Sequence, residues 1–147
     1  MTEAKFNTQV CTTREQSERL LALGLKQGTA DMYLTRCFVG NNGTPMIFIG
    51  TTHKPSTVLF SKEDIPAWTL HRLITLCPKM IVHHQSEHEM SLSVTHNGAY
   101  YEDNFTYPTE EIECFDLSQN LYDNLIDCIE WLIKENHFNK QYLNESL

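Results

Sequence analysis

The apolar positions of this chain recur with two periods, and the change between them marks out the elements. Near the C-terminus Leu121, Leu125, Cys128, Ile129 and Leu132 follow helical spacing. Asn120, Asp123, Asn124, Asp127 and Glu130 fall on the other side. This pattern predicts an amphipathic helix over 118–136, capped by Asp116 or Ser118, with Glu130 and Lys134 as an i,i+4 pair. A short turn over 138–143 would pack on it. Leu20, Leu21 and Leu23 predict a first helix over 13–23. Thr12-Thr13-Arg14-Glu15 fits a capping box in which a Thr hydroxyl caps a backbone N–H and Glu15 reaches back. Gly24 offers the left-handed position after the helix, and Leu25 the hydrophobic contact of a Schellman end. A further helix is predicted over 66–77, with Pro66 in its first turn and Ile65, Trp68, Leu73, Ile74 and Cys77 as an apolar face. Pro78 ends it.

Between the helices the pattern is that of strands. Tyr33, Thr35, Phe38 and Val39 mark a strand over 32–39. Asn42-Gly43 is a hairpin signal before the apolar run 46–49, with Pro45 at a strand start or edge, and 57–60 is a third short strand after Pro55-Ser56. The segments 80–84 and 90–105 form the next β region. With Asn97-Gly98 as a two-residue type I′ turn, Val94 faces Tyr101, Leu92 faces Asp103 and Met90 faces Phe105. Ser91, Ser93, Thr95, Tyr100 and Glu102 then share the opposite, polar face. Hairpin turns in place of βαβ units indicate an α+β fold. The expected architecture is one mainly antiparallel sheet of four to six strands, with about three helices packed mostly on one face, in a single domain over 1–147.

Composition narrows the class. At 147 residues and 41% hydrophobic, the chain suits one core and is not disordered. No apolar run approaches the ~20 residues that span a bilayer, and no secretory h-region is visible, so a cytoplasmic protein without membrane contact is expected. Cys11, Cys37, Cys77, Cys114 and Cys128 are odd in number and widely spaced, which reads as reduced, mostly buried thiols.

Charge adds more. The net charge is −8, yet residues 1–79 hold nine Lys/Arg against six acids. Residues 80–133 hold no Lys or Arg and eleven acids: Glu87, Glu89, Glu102, Asp103, Glu110, Glu111, Glu113, Asp116, Asp123, Asp127 and Glu130. Such a surface repels phosphates, so direct nucleic-acid binding is not expected. It suits a protein partner with a basic surface. The expected surface combines the second hairpin, the 109–116 loop and the polar side of the last helix. Arg14, Arg19, Arg36 and Arg72 would abolish it by folding against those acids.

Candidate chemistry is sparse. His83-His84-Gln85-Ser86-Glu87-His88-Glu89 offers His84, Glu87 and His88 as metal ligands, although the order is not that of the zinc proteases and the segment also reads as a polar hairpin tip. No nucleophile elbow, P-loop or dinucleotide fingerprint is present, so no catalytic residue and no cofactor are assigned. Tyr100 and Tyr107, beside Glu102, Asp103, Glu110, Glu111 and Glu113, form the candidate partner-binding set.

Four phrases carry a resemblance: Gln16 to Leu25, Thr29-Ala30-Asp31-Met32-Tyr33, Ile65-Pro66-Ala67-Trp68-Thr69-Leu70, and Asn124 to Leu132. They resemble small uncharacterised proteins of gut Bacteroidetes and their phages or mobile elements. The resemblance implies a cytosolic accessory protein and carries no activity, cofactor or site residue. The expected role is therefore a non-enzymatic binding or regulatory protein. The alternatives are a small-ligand or metal-binding domain, or an enzyme without a recognisable motif.

Overall fold

Thr13 opens the first helix, α1 (Arg14–Ala22), by accepting a hydrogen bond from Gln16 N–H at 3.2 Å while Gln16 Oε1 accepts one from Thr13 N–H. The capping box is thus one residue later than Thr12/Glu15. Thr12 is withdrawn into the core, where it is 1% exposed. Its hydroxyl accepts from Trp68 N–H and pairs with Ser17 Oγ, and its own N–H donates to the Trp68 carbonyl. Local sequence offers two equivalent threonines, and the buried partners decide which one caps. The helix ends as expected. Gly24, at φ +101°, donates to Leu21 O and Leu25 donates to Leu20 O, closing a Schellman motif over two fully buried leucines.

The computed structural model describes residues 9–35, 46–49, 65–84, 87–96, 98–103, 111–113 and 120–145. The strand readings at 36–39, 57–60 and 105, the Asn42-Gly43 turn, Pro45, Pro55-Ser56 and the caps Asp116 and Ser118 lie outside these residues. Within them the fold is α+β, with three α-helices.

Two antiparallel sheets replace the single one expected. Strands β1 (Met32–Thr35), β2 (Met46–Ile49) and β3 (Ile65–Ala67) form a three-stranded sheet in the order β2-β1-β3. Pro66, expected to start a helix, sits opposite Tyr33 on the edge strand β3, where its missing N–H is tolerated. Helix α2 (Leu70–Leu76) begins only after this strand. Its cap Thr69 accepts from Arg72 N–H and is held by Asp31, which accepts from both the Thr69 backbone and hydroxyl.

The second sheet has the order β4-β5-β6-β7, built from β4 (Met80–Val82), β5 (Glu89–Thr95), β6 (Gly98–Asp103) and β7 (Glu111–Glu113). Its hairpin register differs from the expected one by two residues: Thr95 faces Gly98, Leu92 faces Tyr101 and Met90 faces Asp103. Gly98 is therefore a strand residue paired with Thr95, and Asn97-Gly98 is not the two-residue turn. Glu87 and Asn136 are the non-glycine residues with positive φ among those described, so His96 lacks type I′ geometry. A shift of two preserves which face each side chain occupies, so Met90, Leu92, Val94, Tyr101 and Asp103 still share one face as expected, while Phe105 lies outside the described residues.

Helix α3 (Leu121–Lys134) is capped by Asn120, which accepts from Asp123 N–H at 3.1 Å. It lies over β6 and also touches α1 and α2. Leu125, Cys128, Ile129 and Leu132 are fully buried, as the periodicity indicates. Asn124 is fully buried too, contrary to its place on the polar side, and its Nδ2 donates to Asn120 O. Packing on more than one side buries more of α3 than a one-faced helix would.

Leu125→Ala should cost about 2–5 kcal/mol in denaturant unfolding, because the side chain is wholly enclosed. Thr12→Val keeps the shape but removes the hydroxyl that serves Trp68 and Ser17. It should cost about 1–3 kcal/mol in the same measurement.

Candidate binding surface

The β4–β5 hairpin and its neighbour β6 carry most of the described candidate residues. His83 N–H donates to His88 O, and Glu87 N–H donates to His83 O, which closes the hairpin with Glu87 at φ +58°. This geometry sends the two outer histidines to different places. His84 stacks on His137 with ring centroids 4.5 Å apart, and its Nε2–H donates to Glu135 O at 2.7 Å. His88 Nδ1 lies 2.8 Å from Asp103 Oδ2. Glu87 is exposed at the turn. The proposed ligands His84, Glu87 and His88 therefore do not converge. Among the described residues no group of three or more His, Cys, Asp or Glu could hold a metal.

His137 owes its position to the end of α3. Asn136, at φ +60°, takes the left-handed place, Asn136 N–H donates to Ile133 O, and His137 N–H donates to Leu132 O. The ring of His137 also lies 5.6 Å from that of Trp131. Burial holds its pKa below the ordinary 6.5, and the neighbouring His84 and His83 add to that effect against Glu135.

The candidate partner-binding residues are spread across both faces of the sheet. Tyr100 is half-buried opposite Ser93. Glu102 accepts from the Ser93 hydroxyl at 2.9 Å. Asp103 is 2% exposed and occupied by His88, so it presents no charge to a partner. Glu111 pairs in register with Glu102 and Glu113 with Tyr101, with a β-bulge between. Tyr107 and Glu110 lie outside the described residues.

The acids of α3 are not available in the expected way. Arg19 reaches across from α1 to Asp127 at 2.5 Å and to Glu130 at 2.7 Å. Gln16 donates to Asp123 at 2.8 Å. Lys134 adds the expected pair with Glu130 at 3.6 Å. The hydrogen bond from Arg19 is the main reason that Glu130 sits below the ordinary carboxylate pKa.

What sequence reasoning missed is apolar. Met80 is 51% exposed and Val82 54%, while Ile81 between them is buried. The run Met80-Ile81-Val82 hides this alternation because all three are hydrophobic. By register Met80, Ser91 and Glu102 share the face opposite the core, as do Val82 and Glu89. The described cysteines, Cys11, Cys77 and Cys128, are free and buried. Cys128 is held protonated by its hydrogen bond with Cys77 and by burial, and the Cys11 thiol is pushed up by burial and by Asp31.

No family model matches the chain, and no curated protein or solved structure shows similarity to it. No helix among the described residues is long and apolar enough to cross a membrane.

Two pH effects follow. For His137 the folded pKa lies below the unfolded one, so its contribution is complete above about pH 6.5 and lost as pH falls through the folded value. His137→Gln should flatten the stability slope between about pH 7 and 5, read by urea unfolding at several pH values. Glu130 likewise contributes above its unfolded pKa and loses that contribution on further acidification. Arg19→Gln should therefore destabilise near neutrality and shrink the acid-induced loss below about pH 4.5.

Proposed function

We propose that this domain is a non-enzymatic binding protein that engages a partner protein of basic surface through the outward face of its four-stranded sheet. The observation that carries the reading is the exposure of Met80 and Val82 on the edge strand, next to Glu89. Strands β4, β5 and β6 contain no Lys or Arg. Half-exposed apolar side chains rimmed by charge of one sign fit a docking face: the apolar part supplies burial and the acids supply steering.

The surface is narrower than the charge count suggests. Asp127 and Glu130 are engaged by Arg19, and Asp103 is enclosed, which leaves Glu87, Glu89 and Glu102 among the described acids of strands β4 to β6 and their turns. Tyr100 stands beside them. Tyr107, Glu110, Glu111 and Glu113 extend the same candidate set. The accessory role implied by the sequence resemblance agrees with a protein that acts by occupying a partner.

The test is a quantitative pull-down from the native cell with three baits: the natural chain, Met80→Ser/Val82→Ser, and Glu89→Gln/Glu102→Gln. A partner held by the natural chain should be lost with the first variant. It should be weakened by the second and released from the natural chain as salt rises, since exposed charges are screened over about 8–10 Å near physiological ionic strength. Recovery of the same partner by all three baits, or of none, would remove this reading.

A further inference from the structure

On the opposite, inward side of the same sheet the core runs out before the strand does. Along β5 exposure climbs from Met90 at 0% through half-buried Leu92 to Val94 at 37%, although all three face inward. On β6 the residue paired with Val94, Ala99, is fully buried. The gap therefore lies on the β5 side. Across from this part of β5 stands α2, a helix of seven residues. The result is a cleft of about 560 Å³ between α2 and β5. Ile74, Cys77, Leu92 and Val94 give it an apolar lining. Its polar groups are His71, Thr75 and Lys79.

Two properties select an occupant. The volume falls within the usual ~300–1,000 Å³ of small-molecule sites, which combine an apolar body with a few polar groups. The charge is the reverse of the chain as a whole. In a protein of net charge −8, the described lining of this cleft holds one lysine and one histidine and no Asp or Glu. Thr75 spends its hydroxyl proton on the His71 carbonyl at 2.8 Å, which leaves Lys79 as the charged donor for a ligand head group. Lys79 is fixed at its backbone, where its carbonyl accepts from Leu92 N–H at 2.9 Å. Its exposed side chain starts at the rim of the apolar floor.

We infer that this cleft binds a free anionic amphiphile, a small carboxylate with an alkyl or aryl body, with the body on Ile74, Leu92 and Val94 and the carboxylate at Lys79. This site is independent of the proposed partner-binding face, which lies on the other side of the sheet.

The experiment uses the full chain with labelled methyl groups, titrated separately with octanoate and with 1-octanol and followed by NMR. Octanoate should shift the methyls of Ile74, Leu92 and Val94 saturably and bind more tightly than octanol. Lys79→Gln should weaken octanoate by about threefold to tenfold while leaving octanol unchanged, the scale of one charge-assisted contact at a partly exposed site. Val94→Trp, at a position already partly exposed, should fill the cleft and weaken both probes. Absence of saturable shifts at these methyls would overturn the inference. So would equal binding of the two probes, or octanoate binding that Lys79→Gln and Val94→Trp leave unchanged.

Discussion

Trp68 is the point at which the separate parts of this chain are tied together. Its side chain is fully buried, and its three polar groups are shared between two segments. The indole N–H donates to Thr29 Oγ1 at 3.0 Å, and Thr29 in turn donates to Lys26 O, closing the short turn after α1. The backbone N–H and carbonyl both go to Thr12, just ahead of α1. The next residue, Thr69, caps α2 and is held by Asp31 at the start of the first sheet. An indole in a dry interior must satisfy its N–H, since an unpaired buried donor costs about 1–3 kcal/mol. Together with the Thr12 and Asp31 bonds, that requirement ties the start of α1, the turn after it, the first sheet and α2 to one another.

A second consequence of this packing is electrostatic. Placing α1 beside α3 sets Arg19 opposite Asp127 and Glu130, so part of the acidic half is neutralised within the fold. A partly exposed pair of this kind is worth little by itself. It does engage two acids of α3, Asp127 and Glu130, that the sequence alone counts as part of a free acidic surface. Asp103, at the inner side of the hairpin sheet, is buried and hydrogen-bonded to His88. The two faces of the sheet thus acquire opposite character. The outward face shows acids with Met80 and Val82, while the inward face ends in an apolar cleft beside Lys79.

Parts of this arrangement are legible one residue at a time. The Schellman end at Gly24 follows from a glycine after a leucine-rich turn, and the inward face of α3 follows from its period. The β5–β6 faces follow from alternation. The pairing partners do not, because a strand pattern of period two is unchanged by a shift of two residues. The cap of α1 was ambiguous between Thr12 and Thr13 for a similar reason: both are followed three residues later by a side chain able to reach back. Pro66 suits a helix start and an edge strand equally, and only its pairing with β1 decided between them. The histidine segment read as three close ligands, yet the hairpin turns His84 toward α3 and His88 toward β6.

The sequence by itself determined the class, α+β with antiparallel pairing, because periodicity and turn chemistry are local properties of the chain. It also determined the core stripe of α3 at Leu125, Cys128, Ile129 and Leu132, though not the burial of Asn124, and which face of the sheet each described hairpin residue occupies. The tertiary structure decided that there are two sheets in place of one among the described residues, that Asp127 and Glu130 are engaged by Arg19, and that a cleft lies between α2 and β5. These outcomes depend on contacts between residues far apart in the chain, such as Arg19 with Glu130 and Thr12 with Trp68. Such contacts leave no periodic trace, since neither partner's neighbours in sequence reveal which distant group will meet it.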